Sequence, residues 1–408
     1  MKKSVKVAVI ALTAAFALSA CTNSGNNDES RAENANKPVI KDEAGTQTVT
    51  PWIASKNTTR INSDNPIEAA VTVSQSLWMA TSADNRPGSV ILTSPDPWQN
   101  AVVSADLIHH PSNGPILFVD GESIPEVTVN ELKRLQPKGV ESNDGVQALL
   151  VGELDPKIED QVKALGLKTD QINADNPAAL AKAIDAYYTK VAGENPASVI
   201  VGSMDAQEYT MPAVNWIAHM PEPLLYVKKD EIPQETVDAL QARGGKAHIY
   251  ILGPESVISA NVEKNLQKYG TTVRISGEDP YANAIAFAKY KDESTGFGWG
   301  ITTPGHNFSF INDETPELAI TAAPFSHLGK HAPLLWTKKD AMPESVMAYV
   351  MSVQPKYDKS PTEGPYNHAW LTGSEASLSM KAQGEIDSML EIVSQSGEGH
   401  DSMSGMSH

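Results

Sequence analysis

The single cysteine of the chain lies where its thiol could carry a lipid. Cys21 follows a Leu-Ser-Ala tripeptide, preceded by three lysines and by an apolar stretch from Val7 to Leu18. That stretch is too short to span a bilayer comfortably. The pattern is typical of a bacterial lipoprotein signal, which is cut before the cysteine so that the thiol can be acylated, for example with palmitate. We predict a signal peptide over residues 1–21 and lipidation of Cys21; an ordinary secretory signal is the alternative.

The last residues of the sequence contain a second set of possible ligands, namely His400, Met403, Met406 and His408. Thioether and imidazole groups suit Cu(I), and small polar residues between them would let the peptide wrap one ion. Copper binding is one hypothesis for this segment. A disordered polar tail over residues 396–408 is the other. No organic cofactor is predicted, and a divalent cation enters only as a possible bridge to an acidic ligand.

Motifs for catalysis are missing from the sequence. It has no phosphate-binding Gly-x-x-x-x-Gly-Lys loop, no Gly-x-Ser-x-Gly elbow and no His-Glu-x-x-His pair. The adjacent His109 and His110 cannot both face one side of a helix, so helix-end or surface positions are preferred to a metal site. With one cysteine in the chain, disulfides and cysteine-based metal sites are also excluded. We predict that the protein is not an enzyme and has no catalytic residues.

The charge balance restricts the partners. The 408 residues include 32 basic and 50 acidic side chains, for a formal net charge of −18. Sequence-independent binding to nucleic acid needs clustered Lys and Arg, so it is not expected. An anionic polymer would also be repelled unless a local basic pocket or bridging divalent cations received it.

Three landmarks recur along the chain at intervals of about 110 residues, which is the size of a domain. The first is an Asn or Asp before Pro at the start of an amphipathic pattern, which predicts a capped helix: Asn65-Pro66, Asn176-Pro177 and Asp279-Pro280. The second is a proline-led apolar run typical of a buried parallel strand, at Pro115, Pro223 and Pro333, with another helix start at Pro125, Pro233 and Pro343. The third is an apolar strand ending at Gly152, Gly253 or Gly373.

This alternation of strands and helices predicts an α/β fold of three tandem parallel-sheet modules. The modules are placed at residues 58–165, 166–267 and 268–395. The polar residues 22–57 before them are predicted to be a flexible tether.

The landmarks resemble those of the type 2 cell-wall-binding repeat family, whose members carry three tandem copies on the surface of Gram-positive bacteria. That repeat opens with a Thr-x-Arg-Ile-Ser-Gly-like segment, and the segment from Thr272 through Arg274 to Gly277 is very similar. The segment around Arg60 matches more loosely, and the second copy, around Gln171, lacks the arginine. The resemblance covers roughly residues 58–393. It implies three Rossmann-like or Toprim-like modules about a pseudo-threefold axis.

The resemblance also implies non-covalent binding to an anionic cell-wall polymer through the family's Pro-Ile-Leu-Leu region. Here that region is Pro115, Ile116, Leu117, Pro223, Leu224, Leu225, Pro333, Leu334 and Leu335. Core packing is the preferred interpretation for the aliphatic members. Ligands of parallel sheets usually bind at the carboxyl ends of strands, where two copies carry lysine pairs: Lys228, Lys229, Lys338 and Lys339. Arg60 and Arg274 are the remaining candidates.

The combined prediction is a lipid-anchored protein at the extracellular face of the membrane, within the cell-wall zone, with the wall polymer as its partner. One alternative is a surface lipoprotein that binds a soluble ligand or a metal ion. Another is a scaffold that regulates a wall hydrolase such as an amidase.

Overall fold

The computed structural model describes residues 39–41, 47–328 and 331–396. Cys21 and the four residues of the proposed copper site lie outside this part of the chain. The described residues belong to two compact units, one ending at Thr50 and one beginning at Pro51. In the first unit, β1 (Val39–Lys41) pairs antiparallel with β2 (Gln47–Val49).

The body, residues 51–396, is built from short strands. In chain order they are β3 (Trp52–Ala54), β4 (Thr58–Ile61), β5 (Val90–Thr93), β6 (Ile116–Phe118), β7 (Ala148–Val151), β8 (Thr169–Ile172), β9 (Ser198–Ser203), β10 (Leu224–Val227), β11 (Ala247–Leu252), β12 (Gly270–Ile275), β13 (Asn307–Asn312), β14 (Leu334–Thr337), β15 (Lys356–Tyr357), β16 (His368–Thr372) and β17 (Val393–Ser394).

Helices alternate with these strands. They are α1 (Pro66–Leu77), α2 (Trp98–Ser104), α3 (Glu126–Leu135), α4 (Pro156–Ala164), α5 (Pro177–Ala192), α6 (Gln207–Thr210), α7 (Ala213–Ile217), α8 (Gln234–Gln241), α9 (Ala260–Leu266), α10 (Pro280–Lys289), α11 (Leu318–Ala322), α12 (Glu344–Ser352) and α13 (Met380–Leu390). None of the helices in the described part of the chain combines the length and apolar character that crossing a bilayer requires.

The predicted helix starts are present, and their caps explain them. Asn65, Asn176 and Asp279 each accept a hydrogen bond from a backbone amide in the first turn, and a proline follows each of them. The cap satisfies an amide that has no partner within the helix, and proline has no such amide to satisfy. The helix starts therefore follow from two adjacent residues.

Three sheets share one strand order. In the first sheet the order is β6-β5-β7-β8, and in the second it is β10-β9-β11-β12, with all neighbours parallel. The third sheet repeats the order as β14-β13-β16-β4 and adds β3 as an antiparallel edge. The prediction of an α/β fold with parallel sheets is confirmed.

The fourth strand of every sheet comes from a position that the sequence repeat assigns elsewhere. β8 and β12 lie at the start of the second and third predicted modules, yet they complete the first and second sheets. β4, placed by sequence in the first module, completes the third sheet, with Thr58 opposite Ala369 and Ile61 opposite Thr372. The sheets are thus offset from the predicted modules by one strand. The end of the predicted tether also differs from expectation, because β3 is an ordered edge strand.

The proline-led runs pack where the sheets meet. Pro115, Pro223 and Pro333 each come directly before an edge strand and accept a hydrogen bond through their carbonyl from the neighbouring central strand, and the start of an edge strand is a position that tolerates proline. Tyr226 on β10 donates from its hydroxyl to the Gln99 carbonyl at 2.7 Å, which links the second sheet to α2. Trp336 on β14 donates from its indole Nε1 to the Glu208 carbonyl at 3.0 Å. One continuous apolar cluster contains residues of all three sheets and joins them, and a second cluster packs between the third sheet and the helices α12 and α13.

Arg60 on β4 holds the closure of the third sheet. Its side chain is fully buried and donates to the Gly373 carbonyl at 2.9 Å and to Gln383 Oε1 at 2.8 Å. It also donates to the carbonyls of Ser374 and Ser379. Burial lowers the pKa of Arg60 to about 10, which leaves the guanidinium charged at neutral pH. Arg274 on β12 repeats the contact by donating to the Gly253 carbonyl at 2.7 Å.

Arg60→Met is expected to lower the free energy of unfolding by about 3 kcal/mol, because several buried oxygens lose a charged donor. Gln171→Met is the matched control, since Gln171 occupies the same register position on β8 but is exposed. Urea denaturation of both variants measures the difference. Equal stability of the two variants would contradict the closing role of Arg60.

Candidate functional site

The aliphatic residues of the family motif are in the core. Ile116, Leu117, Leu224, Leu225, Leu334 and Leu335 are each no more than 1% exposed. The prolines that precede them are also buried. Side chains in such positions cannot touch a polymer in solvent, so the preferred interpretation, core packing, accounts for all of them.

The two arginine candidates are occupied by internal contacts. The side chain of Arg60 makes the buried hydrogen bonds that close the third sheet, as described above. Arg274 is mostly buried and pairs with Glu263, with Nη2 2.7 Å from the carboxylate. Neither side chain is available to an external ligand, so their assignment as polymer-binding residues is corrected. Arg60 donates to the carbonyl of Gly373 after β16, and Arg274 donates to that of Gly253 after β11, so both arginines have a structural role.

The lysine pairs lie where they were predicted, at the carboxyl ends of β10 and β14. All four side chains are exposed. Lys228 Nζ is 3.6 Å from Glu231, and Lys338 Nζ is 3.4 Å from Asp313 and lies over the ring of Tyr281. Tyr281 first and Asp313 second raise the pKa of Lys338. In the described part of the chain, Lys229 and Lys339 have no ion pair, so they are the freer cations of the two pairs.

In such sheets a ligand usually binds in the crevice at the carboxyl ends of the two central strands, which are β5 and β7 in the first sheet. In the first sheet it is an open cleft of about 230 Å³ at the ends of β5 and β7, and its wall includes Asp96, Glu153 and Asp175. Three carboxyl groups around a small cleft repel an anionic ligand. The described residues contain no group of His, Cys, Asp or Glu arranged to hold a metal ion.

The equivalent crevice of the third sheet is closed by a hydrogen-bond network. Asp64 accepts from the Ser374 amide at 2.7 Å and from the Ser377 hydroxyl at 2.5 Å. Burial by itself would raise the pKa of Asp64, but these hydrogen bonds outweigh it and lower the pKa. In the first sheet, Asp175 takes the place of Asp64, and Glu153 takes the place of Ser374. Because Ser374 also donates to Asp64 from its hydroxyl, the first sheet has a second carboxyl group where the third sheet has this hydroxyl donor.

Histidines that are far apart in sequence form a junction between the sheets. We define the histidine junction as His109, His110, His219, His327 and His331. The ring centroids of His109 lie 4.2 Å from His110 and 4.6 Å from His327, and those of His219 and His331 are 4.4 Å apart. His109 and His110 stack because the backbone at His110 leaves the helical conformation. The prediction that these two are plain helix-end or surface histidines is therefore incomplete.

Sequence reasoning also missed three basic residues that one groove of the first sheet brings together, Arg86, Lys133 and Lys138. They are up to 52 positions apart in sequence. The one available signal was the basic end of α3 followed by Gln-Pro-Lys, which does not indicate the third member.

Comparison with known proteins places the fold. No protein family model matches the chain. The structure is similar to Cwp6 from Clostridium difficile, with a TM-score of 0.64 and 16% identity, over 86% of this chain and 51% of that one. It is also similar to Cwp8 from the same organism, with a TM-score of 0.62 and 17% identity, over 82% of this chain and 52% of that one. At these identities the likeness concerns the fold alone.

Two curated proteins of Bacillus subtilis (strain 168) resemble the sequence. The amidase enhancer is 26% identical over 151 residues, which are 37% of this chain and 20% of the enhancer. N-acetylmuramoyl-L-alanine amidase LytC is 23% identical over 244 residues, which are 60% of this chain and 45% of LytC. The chain therefore spans less than half the length of each of these relatives.

Stability is expected to fall as the pH drops from 7 toward 4. Burial first, and neighbouring histidines second, lower the pKa of His219 to about 4 and that of His327 to about 3. Between these values and the ordinary value near 6.5, the unfolded chain binds protons that the folded chain does not. The contribution of the two histidines to the free energy of unfolding is complete above about pH 6.5. Below that pH, each histidine lowers the free energy of unfolding by on the order of 1.4 kcal/mol per pH unit.

Urea denaturation at several pH values measures this slope. The double variant His219→Gln, His327→Gln should flatten it. His248→Gln, on β11 outside the histidine junction, should leave it unchanged. A slope that is equally steep in the double variant would show that acid destabilisation arises elsewhere.

Proposed function

We propose that this chain is a non-catalytic, lipid-anchored protein of the Gram-positive cell surface whose body binds non-covalently to a cell-wall polymer. The observation that carries the proposal is the fold, which extends over most of the chain and is similar to that of Cwp6 and Cwp8. Both sequence relatives bear amidase names, and N-acetylmuramoyl-L-alanine, the group in one of them, is a building block of the bacterial cell wall. These similarities support association with the wall.

The finer architecture is part of the proposal. Three sheets with one strand order, joined by one apolar cluster and closed by β4, support three Rossmann-like or Toprim-like modules about a pseudo-threefold axis. Such an arrangement would present one lysine-bearing strand end in each of two modules. The polymer contacts that we propose there are made by Lys228, Lys229, Lys338 and Lys339.

Two other functions remain as alternatives. The name of one relative, amidase enhancer, favours a scaffold that regulates a wall hydrolase. A surface lipoprotein that binds a soluble ligand or a metal ion is the other, and it would give the His400 to His408 segment a role with copper or a divalent cation.

Wall binding can be tested with purified residues 22–408, which lack Cys21. The protein is mixed with purified cell walls, and the walls are then sedimented. Binding that is lost when secondary polymers are extracted from the walls is the expected result. Retention of a co-purified amidase without retention on walls would instead support the scaffold.

Reversing the charge of Lys228, Lys229, Lys338 and Lys339 to Glu is expected to weaken wall binding at low salt. Four exposed contacts of roughly 0.5 kcal/mol each amount to about 2 kcal/mol, or about thirtyfold in apparent affinity. The charge-matched control reverses Lys246, Lys264, Lys268 and Lys359, which are exposed elsewhere. Equal binding by the two variants, with unchanged thermal unfolding, would remove the lysine pairs from the proposed site.

Anchoring is tested by Cys21→Ser in the full chain. The variant lacks the thiol that is to be acylated, so it is expected to appear in the medium or to keep its signal peptide. Membrane fractionation followed by mass measurement distinguishes these products. A mature-sized variant that still sediments with membranes would show that lipidation of Cys21 is not the anchor.

A further inference from the structure

A basic groove crosses the amino end of the first sheet, whereas the lysine pairs lie at the carboxyl ends of strands in the other two sheets. It has a volume of about 570 Å³, within the range of about 300–1,000 Å³ typical of small-molecule sites. We define the basic groove by its three cations, Arg86, Lys133 and Lys138, and by the apolar side chains Leu132, Leu165 and Leu167.

Backbone pairing brings these cations together. The amide of Lys138 donates to the Pro87 carbonyl at 3.0 Å, so the segment after α3 runs beside the segment that contains Arg86. The side chain of Gln147 holds the same segment in place. Its Nε2 donates to the Pro137 carbonyl at 2.6 Å, and its Oε1 accepts from the backbone amide of Lys168 at 3.0 Å. The groove is therefore formed by anchored backbone.

The groove contains positive charge that the protein leaves unpaired. Its wall includes no carboxyl group, and none of its three cations forms an ion pair with a described residue. Arg86 Nε is buried and has no hydrogen-bond partner among the described residues. The neighbouring Arg134, by contrast, turns toward Glu131, with Nε and Oε2 2.7 Å apart. In a chain with 50 acidic and 32 basic side chains, three cations without a counter-charge in one groove create a local site for an anion.

The rest of the groove determines what kind of anion fits. Leu132 is buried beneath the groove, and the half-buried Leu165 and Leu167 line one wall. Sugar rings present apolar C–H faces and polar edges, so a glycan can lie against this wall while its charged groups meet the cations. Lys133 and Lys138 are exposed and can follow a flexible ligand, whereas Arg86 offers a planar donor fork for phosphate or carboxylate.

The opposite end of the first sheet is unsuited to the same ligand. Its crevice contains Asp96, Glu153 and Asp175. At the end of β6, where the other two sheets carry lysine pairs, the first sheet has Asp120 and Glu122. Any anion bound by the first sheet must therefore enter from the amino end.

We propose that the basic groove binds an anionic glycan, with its phosphate or carboxylate groups on Arg86, Lys133 and Lys138 and its sugar rings against the half-buried Leu165 and Leu167. The proposal rests on the proposed function, since the ligand would be a segment of the wall polymer. It assigns the first sheet a contact that differs from the lysine pairs of the other two.

The test measures binding of defined probes to residues 22–408 by titration calorimetry. The probes are polyphosphate, polygalacturonate and an uncharged N-acetylglucosamine oligomer. Lys133→Glu, Lys138→Glu is expected to weaken binding of at least one polyanion by about tenfold or more, because two charge-assisted contacts become repulsive. The two lysines are exposed, so folding is preserved, and Arg86 is left unaltered. Lys264→Glu, Lys268→Glu carries the same change of charge outside the groove and should alter binding less than about twofold.

The outcomes separate this proposal from the proposed function. If the wild-type protein binds a polyanion and the groove variant loses that binding, the groove is supported even where binding to whole walls fails. If the wild-type protein binds walls and the groove variant binds walls and polyanions equally well, the groove proposal is overturned while wall binding stands. Equal losses in the groove variant and the control would also overturn it, since the effect would then come from net charge. A stronger response to polyphosphate or to polygalacturonate identifies the anionic group.

Discussion

The insertion of β4 between β3 and β16 is the constraint on which the rest of the body depends. It joins residues that are more than 300 positions apart, and the entropy of closing so long a loop grows only with the logarithm of its length. The strand ladder and the buried hydrogen bonds of Arg60 offset that cost locally. Because the third sheet is incomplete without β4, and one apolar cluster contains residues of all three sheets, the modules stabilise one another.

The same offset gives a structural role to the segments around Arg60 and Arg274. Each sheet borrows its fourth strand from the start of the next repeat, or, for the third sheet, from the start of the body. Arg60 donates to the Gly373 carbonyl, and Arg274 donates to the Gly253 carbonyl. Each arginine therefore links its own repeat to the repeat that supplies the other strands of the sheet. Exposed Gln171 at the same register shows that one junction is formed without such an arginine. The proline-led runs likewise belong to the contacts between sheets.

Local signals were predictable from the sequence, and long-range pairings were not. The helices after Asn65, Asn176 and Asp279 follow from a cap and a proline, and the buried runs follow from continuous apolar residues. The central strands β5, β9 and β13 were not singled out, because three or four apolar residues without a repeated proline carry little signal. The sheet to which β4 belongs depends on pairing across the whole chain. For the same reason, the lysine pairs could be located by sequence, but Asp313, which lies 25 positions before Lys338, could not be assigned as its partner.

Charge placement limits how this body can meet an anionic ligand. The net charge of −18 acts at long range, yet ions at about 0.1 M screen exposed charges beyond about 10 Å. Within that distance only the local side chains matter, and the carboxyl-lined crevice of the first sheet repels while the basic groove attracts. Lys228 and Lys338 are partly neutralised by their acidic partners, whereas Lys229 and Lys339 have no ion pair with a described residue. In the proposed polymer binding, an anionic chain would meet cations at separate points and carboxyl groups between them, so the spacing of its charged groups would contribute to recognition.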